Sequence, residues 1–163
     1  GAKVLGCEPD FNAYTGGTNP TPDATGNLRT VGGHLHLGGM NTDDPFSEVH
    51  MGGMSELVRI LDENLGVYSL LFDQDDRRRS LYGAAGAFRP KSYGVEYRSM
   101  SNAWLRTPEL VKFVYDQAMK SVRQLIEGYQ PSGFAQEIIN TSDRGNDFFK
   151  NNPTADRVYG MVV

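Results

Sequence analysis

Two histidines on a glycine-flanked run are the residues best placed to do chemistry. The run Gly32–Gly39 contains His34 and His36. Residues two apart on a strand project from the same face, so both imidazoles would share one face while Leu35 and Leu37 occupy the other. Imidazoles bind metals and phosphates, and glycines let a backbone or a ligand approach closely. A His-x-His pair alone is a weak signal, so the run predicts such a site only together with other residues.

A second polar pair strengthens this interpretation. Glu96 and Arg98 also lie two apart, on a predicted strand over 95–100, and therefore share a face. On its own this pair would be a cross-strand ion pair contributing about 1 kcal/mol or less when exposed. Several cations precede it in the chain: Arg77, Arg78, Arg79, Arg89 and Lys91.

Together, the two pairs contain the residue types that ATP-dependent chemistry uses. A divalent metal binds His and carboxylate ligands, and arginine binds phosphate or carboxylate in bidentate geometry. The sequence contains neither a G-x-x-x-x-G-K-[ST] loop nor a G-x-G-x-x-G loop. A nucleotide would therefore be held by a different architecture.

The elements that must position these side chains begin with strands. Residues 3–8 predict a strand, residues 12–27 predict a loop, and residues 28–37 predict the strand that carries the histidines. Ser47 is a suitable N-cap, and apolar residues at helical spacing predict a helix after it that continues through the apolar run 67–72.

The second half of the chain is predicted to be mainly helical. Thr107 and Pro108 are a strong helix start, an apolar stripe follows, and Gly128 is the expected stop. A weaker helix is predicted over 133–150, and the tail over 158–163 is predicted to be a final strand. The charged run 73–79 is expected to be mostly a solvated face, and residues 83–87 a small-residue loop. The fold class is therefore α+β, with polar pairs on one sheet face and helices on the other.

The composition fits a single domain over residues 1–163. The chain has 39% hydrophobic and 22% charged residues, with a formal net charge of −4. The excess of acidic residues argues against nucleic acid as a partner. One cysteine excludes an internal disulfide and fits a reducing compartment. No apolar run is long enough for a membrane span, so we expect a cytoplasmic protein that does not associate with a membrane.

The order of these motifs resembles a known family. The matching stretches are residues 6–11, 29–38, 79–89 and 93–104, and the combination of GGHLHLG with GVEYRSMSNAW is specific. The chain is similar to the COOH–NH2 ligase (amidoligase type 2) family of tailed phages and bacteria, within the glutamine synthetase/glutamate–cysteine ligase superfamily. The resemblance covers about residues 4–105. A phage gene would place the protein in the host cytoplasm.

The resemblance implies a fold, a reaction and a set of ligands. The fold would be an antiparallel sheet curved over a funnel-shaped site, with helices on its outer face. ATP would phosphorylate a substrate carboxylate, and an amine would displace the phosphate to give an amide or peptide-like bond. Mg²⁺ or Mn²⁺ would neutralise the triphosphate, and the substrates would be a small-molecule or peptide carboxylate and an amine.

The resemblance also implies roles for individual residues. The residues that resemble metal ligands are Glu8, His34 and Glu96, with Asp10 as a same-face partner of Glu8. Those that resemble phosphate contacts are His36 for the nucleotide, and Arg89 and Arg79 for the transferring phosphoryl group. Arg98 resembles the arginine that binds the substrate carboxylate.

The sequence departs from the family pattern in one respect. The superfamily has two early carboxylate strands before the His-x-His strand, whereas this chain has one, at Glu8-x-Asp10. We therefore expect an incomplete N-terminal part, with the chain forming the C-terminal portion of a longer ligase. Two alternatives stay open: a metal-dependent hydrolase using His34 and His36, and a non-catalytic module that keeps the fold. A homo-oligomer also stays open.

Overall fold

A computed structural model describes residues 9–21 and 31–162 of the chain. Helical structure is continuous from residue 48 to residue 72. The strands are β1 (Phe11–Asn12), β2 (Leu35–Gly38), β3 (Ala87–Lys91) and β4 (Gly94–Tyr97), and the helical segments are α1 (Glu48–Leu61), the π-helical segment (Asp62–Gly66), α2 (Val67–Phe72), α3 (Asp76–Leu81), α4 (Pro108–Ile126), α5 (Ala135–Thr141) and α6 (Pro153–Val162).

The four strands form one antiparallel sheet in the order β1-β3-β4-β2. Strand β4 lies between β3 and β2. Strand β3 is its partner in a tight hairpin, whereas β2 comes from a distant part of the sequence. The α+β class is therefore confirmed. In the described residues the sheet is open and is not strongly curled, so the funnel-like curvature implied by the resemblance is not present there.

One face of the sheet is covered by helices. Phe88, Val95 and Tyr97 are fully buried and belong to the same core as residues of α1 and the π-helical segment. The alternation of the strands puts these apolar residues on the opposite face from the polar pairs. Burial of this face removes apolar surface from water, which is the main stabilising contribution to such a packing. None of the described helices is long and apolar enough to cross a bilayer.

The predicted helix starts are confirmed. The Ser47 side chain accepts a hydrogen bond from the His50 amide at the start of α1, and the Thr107 side chain accepts one from the Leu110 amide at the start of α4. Gly128 follows the end of α4 with a φ of +78°, a conformation that glycine adopts without strain.

Two predictions about the secondary structure are corrected. The tail is helix α6 rather than a strand, because Asn152 accepts hydrogen bonds from the amides of Thr154 and Ala155 and caps it. The helix predicted over 133–150 is only the seven-residue α5, followed by a 3₁₀ turn. The predictions for 3–8 and for most of 22–30 lie outside the described residues.

The charged run 73–79 is mostly solvated, as predicted, since residues 74–77 are exposed, but three of its members are buried. Asp73, Arg78 and Arg79 are buried, and Asp76 begins helix α3. The Arg79 Nη2 atom lies 3.4 Å from the Asp73 carboxylate, and Arg78 Nη2 donates to the Met100 carbonyl at 2.7 Å. These contacts bury the two ends of the run, and Arg78 thereby packs against the segment that follows β4.

Asp62, in the π-helical segment, forms hydrogen bonds to the sheet from the face that the helices cover. Its fully buried carboxylate accepts hydrogen bonds from the Tyr97 hydroxyl at 2.6 Å, the Tyr14 hydroxyl at 3.0 Å, the Gly86 amide at 2.7 Å and the Ser99 hydroxyl at 3.4 Å. These donors come from the segments that carry β1, β3 and β4. Asp62 therefore holds in register the strands that present the polar residues.

The pH dependence of stability should report on Asp62. Burial raises its pKa from 3.8 to about 6, although the four donors favour the ionised form. As the pH rises from about 4 to about 6, the unfolded chain ionises at Asp62 before the folded chain does. We expect the free energy of unfolding to fall over this window by about 2 kcal/mol from this group. Urea unfolding from pH 4 to pH 6 measures it.

The control for this measurement is Asp62→Asn, which removes the titrating group but keeps the side-chain volume. The variant should be less stable throughout, because the Gly86 amide then faces a side chain with one oxygen fewer. Its stability should lack the fall contributed by Asp62. A wild-type curve that parallels the variant's across this window would contradict the prediction.

Candidate functional site

The polar side chains form a row across the sheet. The register pairs His36 with Glu96 and Glu96 with Arg89, and directly paired residues of an antiparallel sheet share a face. Asp10, immediately before β1, extends the row through an ion pair with Arg89 at 3.1 Å. The predicted convergence of His34, Glu96 and Arg98 is present in the structure, since His34 and Arg98 both contact the Glu96 carboxylate.

Glu96 is the centre of this row. Its Oε2 atom lies 3.0 Å from Lys91 Nζ, and its Oε1 atom contacts Arg98 Nη1 and lies 3.0 Å from His34 Nδ1. The side chain is only 7% exposed. Burial alone would raise the pKa of Glu96, but the hydrogen bonds from Lys91 and Arg98 lower it to about 2. Glu96 is therefore a carboxylate at any physiological pH.

His34 is a neutral imidazole in this arrangement. Burial and the neighbouring Arg98 guanidinium lower the pKa of His34. Its Nδ1 atom lies 2.9 Å from Arg98 Nη1, and because a guanidinium only donates, this contact is a hydrogen bond in the tautomer that carries its proton on Nε2. His34 Nδ1 and Glu96 Oε1 are thus two lone-pair donors directed at the same cation.

Arg98 and Arg89 share the carboxylate of Asp10. The Arg98 Nε atom lies 2.7 Å from Asp10 Oδ1, as an ion pair without hydrogen-bond alignment, and Arg89 Nε donates to the same oxygen at 3.1 Å. Asp10 therefore orients both guanidinium groups from beside the sheet.

A cavity of about 350 Å³ opens beside these arginines. Arg79, Arg89, Arg98 and Asp10 line it together with the turn at Gly83. Arg79 is 6% exposed, and among the described residues its Nε and Nη1 atoms have no hydrogen-bond partner. Burial lowers the pKa of Arg79. A buried guanidinium with unused donors beside a cavity favours an anionic group there.

His36 lies at the outer end of the row. It is exposed, and its Nδ1 atom contacts the Tyr93 hydroxyl in the β3–β4 hairpin. It also borders a second, mainly apolar cavity of about 450 Å³ between β2 and α4, which Trp104 and Tyr115 help to line. His36 therefore faces a different neighbourhood from His34.

The glycines before the histidines serve close backbone packing. A Cβ atom on Gly32 would collide with the His34 ring, and one on Gly33 would meet the Trp104 indole nitrogen at 2.5 Å. The Trp104 Nε1 atom donates to the Gly33 carbonyl at 3.1 Å. The prediction that these glycines allow a close approach is confirmed for the protein's own side chains.

The donor atoms of His34 and Glu96 are spaced as two adjacent ligands of a divalent metal would be. An octahedral magnesium ion with bonds of about 2.1 Å places adjacent ligands about 3.0 Å apart. The distance from His34 Nδ1 to Glu96 Oε1 is 3.0 Å, so these two atoms suit adjacent ligand positions. Within residues 9–21 and 31–162 no third His, Cys, Asp or Glu joins them at one ion position. Glu8 lies outside the described residues.

Two residues at this face received no role from the sequence. Lys91 was noted only as one of several cations, yet it binds Glu96, and Tyr93 contacts His36. The signal that could have found them is the hairpin itself. Residues 89 and 91 alternate on one strand, a turn follows, and residues 96 and 98 alternate on the next.

The four-stranded sheet carries a row of histidine, carboxylate and arginine side chains, and a known protein family matches the part of the chain that forms most of it. A family model described as phage phiEco32-like COOH–NH2 ligase type 2 matches residues 24–130. The chain belongs to this family, and membership implies a carboxylate–amine ligase. Curated proteins and solved structures gave no match.

Proposed function

We propose that this chain forms the catalytic part of an ATP- and divalent-metal-dependent ligase that joins a carboxylate to an amine. The observation that carries the proposal is the convergence of His34, Glu96, Arg98 and Arg89 on one sheet face beside a cavity, in a chain of this family. Neutral nitrogen, carboxylate and guanidinium groups are the set that this chemistry requires.

The reaction has two steps whose atoms balance. The substrate carboxylate attacks the terminal phosphorus of ATP, which gives an acyl phosphate and releases ADP. The amine then attacks the acyl carbon, loses a proton and expels inorganic phosphate, leaving an amide. Both steps concentrate negative charge on phosphoryl oxygens, so catalysis depends on fixed cations at those atoms.

The proposed roles follow from what each side chain faces. Arg79 and Arg89 line the cavity and stabilise the phosphoryl group, and Arg98 binds the substrate carboxylate. His36 contacts the nucleotide phosphates. His34 and Glu96, with Glu8 from outside the described residues, would hold Mg²⁺ or Mn²⁺, and the ion would neutralise triphosphate charge.

The competing hydrolase would use His34 and His36 on one water-activating ion. The two histidines have different partners, Arg98 for His34 and Tyr93 for His36. That alternative also leaves the arginines around the cavity without a function. The family match and the arginines favour the ligase.

A coupled assay of ADP release tests the proposal. The protein containing this chain is incubated with Mg²⁺, ATP and a panel of carboxylates and amines drawn from amino acids, peptides and polyamines. We expect ADP release that requires one carboxylate and one amine, with phosphate formed in equal amount. Arg89→Gln should lower the rate by about 100-fold, because one donor to the transferring group is lost.

The matched control is Arg123→Gln, an exposed arginine in the last turn of α4. It should leave the rate unchanged. Tightly held zinc without any response to nucleotide would favour the hydrolase. No ADP release with any pair, and no stabilisation by Mg-ATP, would favour a non-catalytic module.

A further inference from the structure

We propose that Arg98 is a built-in occupant of the divalent-cation position, and that metal binding releases its guanidinium towards the anion cavity. The inference rests on the proposed function for the identity of the ligands. It assigns to Arg98 a positioning role that precedes substrate binding, rather than a permanently available carboxylate clamp.

The first support is the position of the Arg98 Nη1 atom. Arg98 Nη1 contacts Glu96 Oε1 and lies 2.9 Å from His34 Nδ1. These are the two atoms whose 3.0 Å separation suits adjacent metal ligands. The guanidinium thus uses the lone pairs that a metal ion would need. Two cations at this spot would also repel each other strongly in a buried site, so only one can be present at a time.

The second support is that a cavity beside Arg98 can accommodate the guanidinium once it leaves His34 and Glu96. Its Nε atom remains 2.7 Å from Asp10 Oδ1, and its side chain lines the 350 Å³ cavity. The backbone is fixed on both sides, because Tyr97 and Ser99 both donate to Asp62. Releasing Nη1 therefore requires side-chain rotation about a fixed strand, and not movement of the sheet.

The third support is what the released group would meet. Arg79 and Arg89 line the same cavity, and Arg79 has unused donors among the described residues. An anionic carboxylate or phosphoryl group in the cavity would gain Arg98 as an additional donor only after the metal has displaced it. The divalent cation and the anion should therefore bind with positive coupling, each raising the affinity of the other by the same factor.

Lys91 provides the control. It also forms an ion pair with Glu96, but at Oε2, on the other side of the carboxylate from His34. Lys91→Met and Arg98→Met each remove one positive charge beside Glu96. Only Arg98→Met removes the group that occupies the space between His34 and Glu96.

The experiment measures Mn²⁺ binding alone, by the electron paramagnetic resonance signal of the free ion, for the wild type and both variants. We expect Arg98→Met to bind Mn²⁺ about ten-fold more tightly than the wild type, within the usual range of coupling energies, and clearly more tightly than Lys91→Met. Circular dichroism verifies that the variants are folded. An equal gain in both variants, or no gain in Arg98→Met, would overturn the proposal.

A second measurement uses inorganic phosphate at submillimolar concentration as the anion probe. Phosphate should tighten Mn²⁺ binding to the wild type and to Lys91→Met several-fold, after correction for ion pairing in solution. In Arg98→Met this factor should fall to about one. Retained coupling in Arg98→Met would contradict the mechanism. Neither measurement involves turnover, so their failure is distinguishable from the absence of ligase activity, which the ADP assay reports.

Discussion

Glu96→Gln is expected to lower ADP release by about 100- to 1,000-fold at saturating Mg²⁺ and ATP, the range seen when one fixed charge-stabilising group is removed. The amide keeps the shape of the side chain but loses the negative charge that faces His34, Arg98 and Lys91. It cannot serve as an anionic metal ligand, and it removes the carboxylate that pairs with Lys91 and one of the two carboxylates that pair with Arg98. Steady-state kinetics of the coupled assay measures the loss.

The control for Glu96→Gln is Glu127→Gln, an exposed carboxylate that follows α4. It changes the net charge by the same amount, far from any contact with the row, and should leave turnover unchanged. Thermal unfolding of both variants separates a catalytic loss from a folding defect. Full turnover in a folded Glu96→Gln protein would remove Glu96 from the proposed metal ligands.

The largest effect on stability is expected for Gly94→Ala, with a loss of about 3 kcal/mol or more. Gly94 begins β4 with a φ of +148°, which a side chain disfavours, and an added Cβ would collide with the Leu37 carbonyl oxygen of β2. That oxygen belongs to a paired strand, so it cannot move away without opening the ladder. Equilibrium urea unfolding at neutral pH measures the difference.

Gly38→Ala is the matched control, because Gly38 is the register partner of Gly94. A Cβ atom there would lie 3.7 Å from the Tyr93 carbonyl oxygen, an ordinary contact. We expect a change of less than about 1 kcal/mol, as for most substitutions outside a core or a strained site. Similar losses in the two variants would mean that the close approach of β2 and β4 does not govern stability.

The sequence was sufficient for those features of the site that depend on local periodicity. The two-residue spacing of His34 and His36, and of Glu96 and Arg98, predicts which side chains share a face. In the structure His36 is the register partner of Glu96, and His34 and Arg98 contact the Glu96 carboxylate. The helix starts at Ser47 and Thr107 also depend only on residues close by in the chain, and the sequence predicts both. The same alternation explains why the opposite face is apolar and packs on the helices.

Features that depend on distant segments could not be predicted in this way. Strand β3 was missed because Pro90 interrupts its pattern, and proline inside a run argues against a strand. The burial of Arg78 and Arg79 depends on Asp73 and on the Met100 carbonyl, which tertiary packing brings together. Likewise, the apolar pattern over 158–163 predicts a strand, whereas Asn152 caps a helix there and Val158 is buried in the core.

The contacts of Arg98 also have a consequence for how the protein depends on metal availability. In many small metal-binding domains the ion supplies the free energy of folding, so that chelators unfold them. Here the Arg98 guanidinium already lies among His34, Glu96 and Asp10 and contacts all three. The charges of the two carboxylates are therefore balanced by a side chain of the protein itself, and we expect the sheet to assemble without a metal ion.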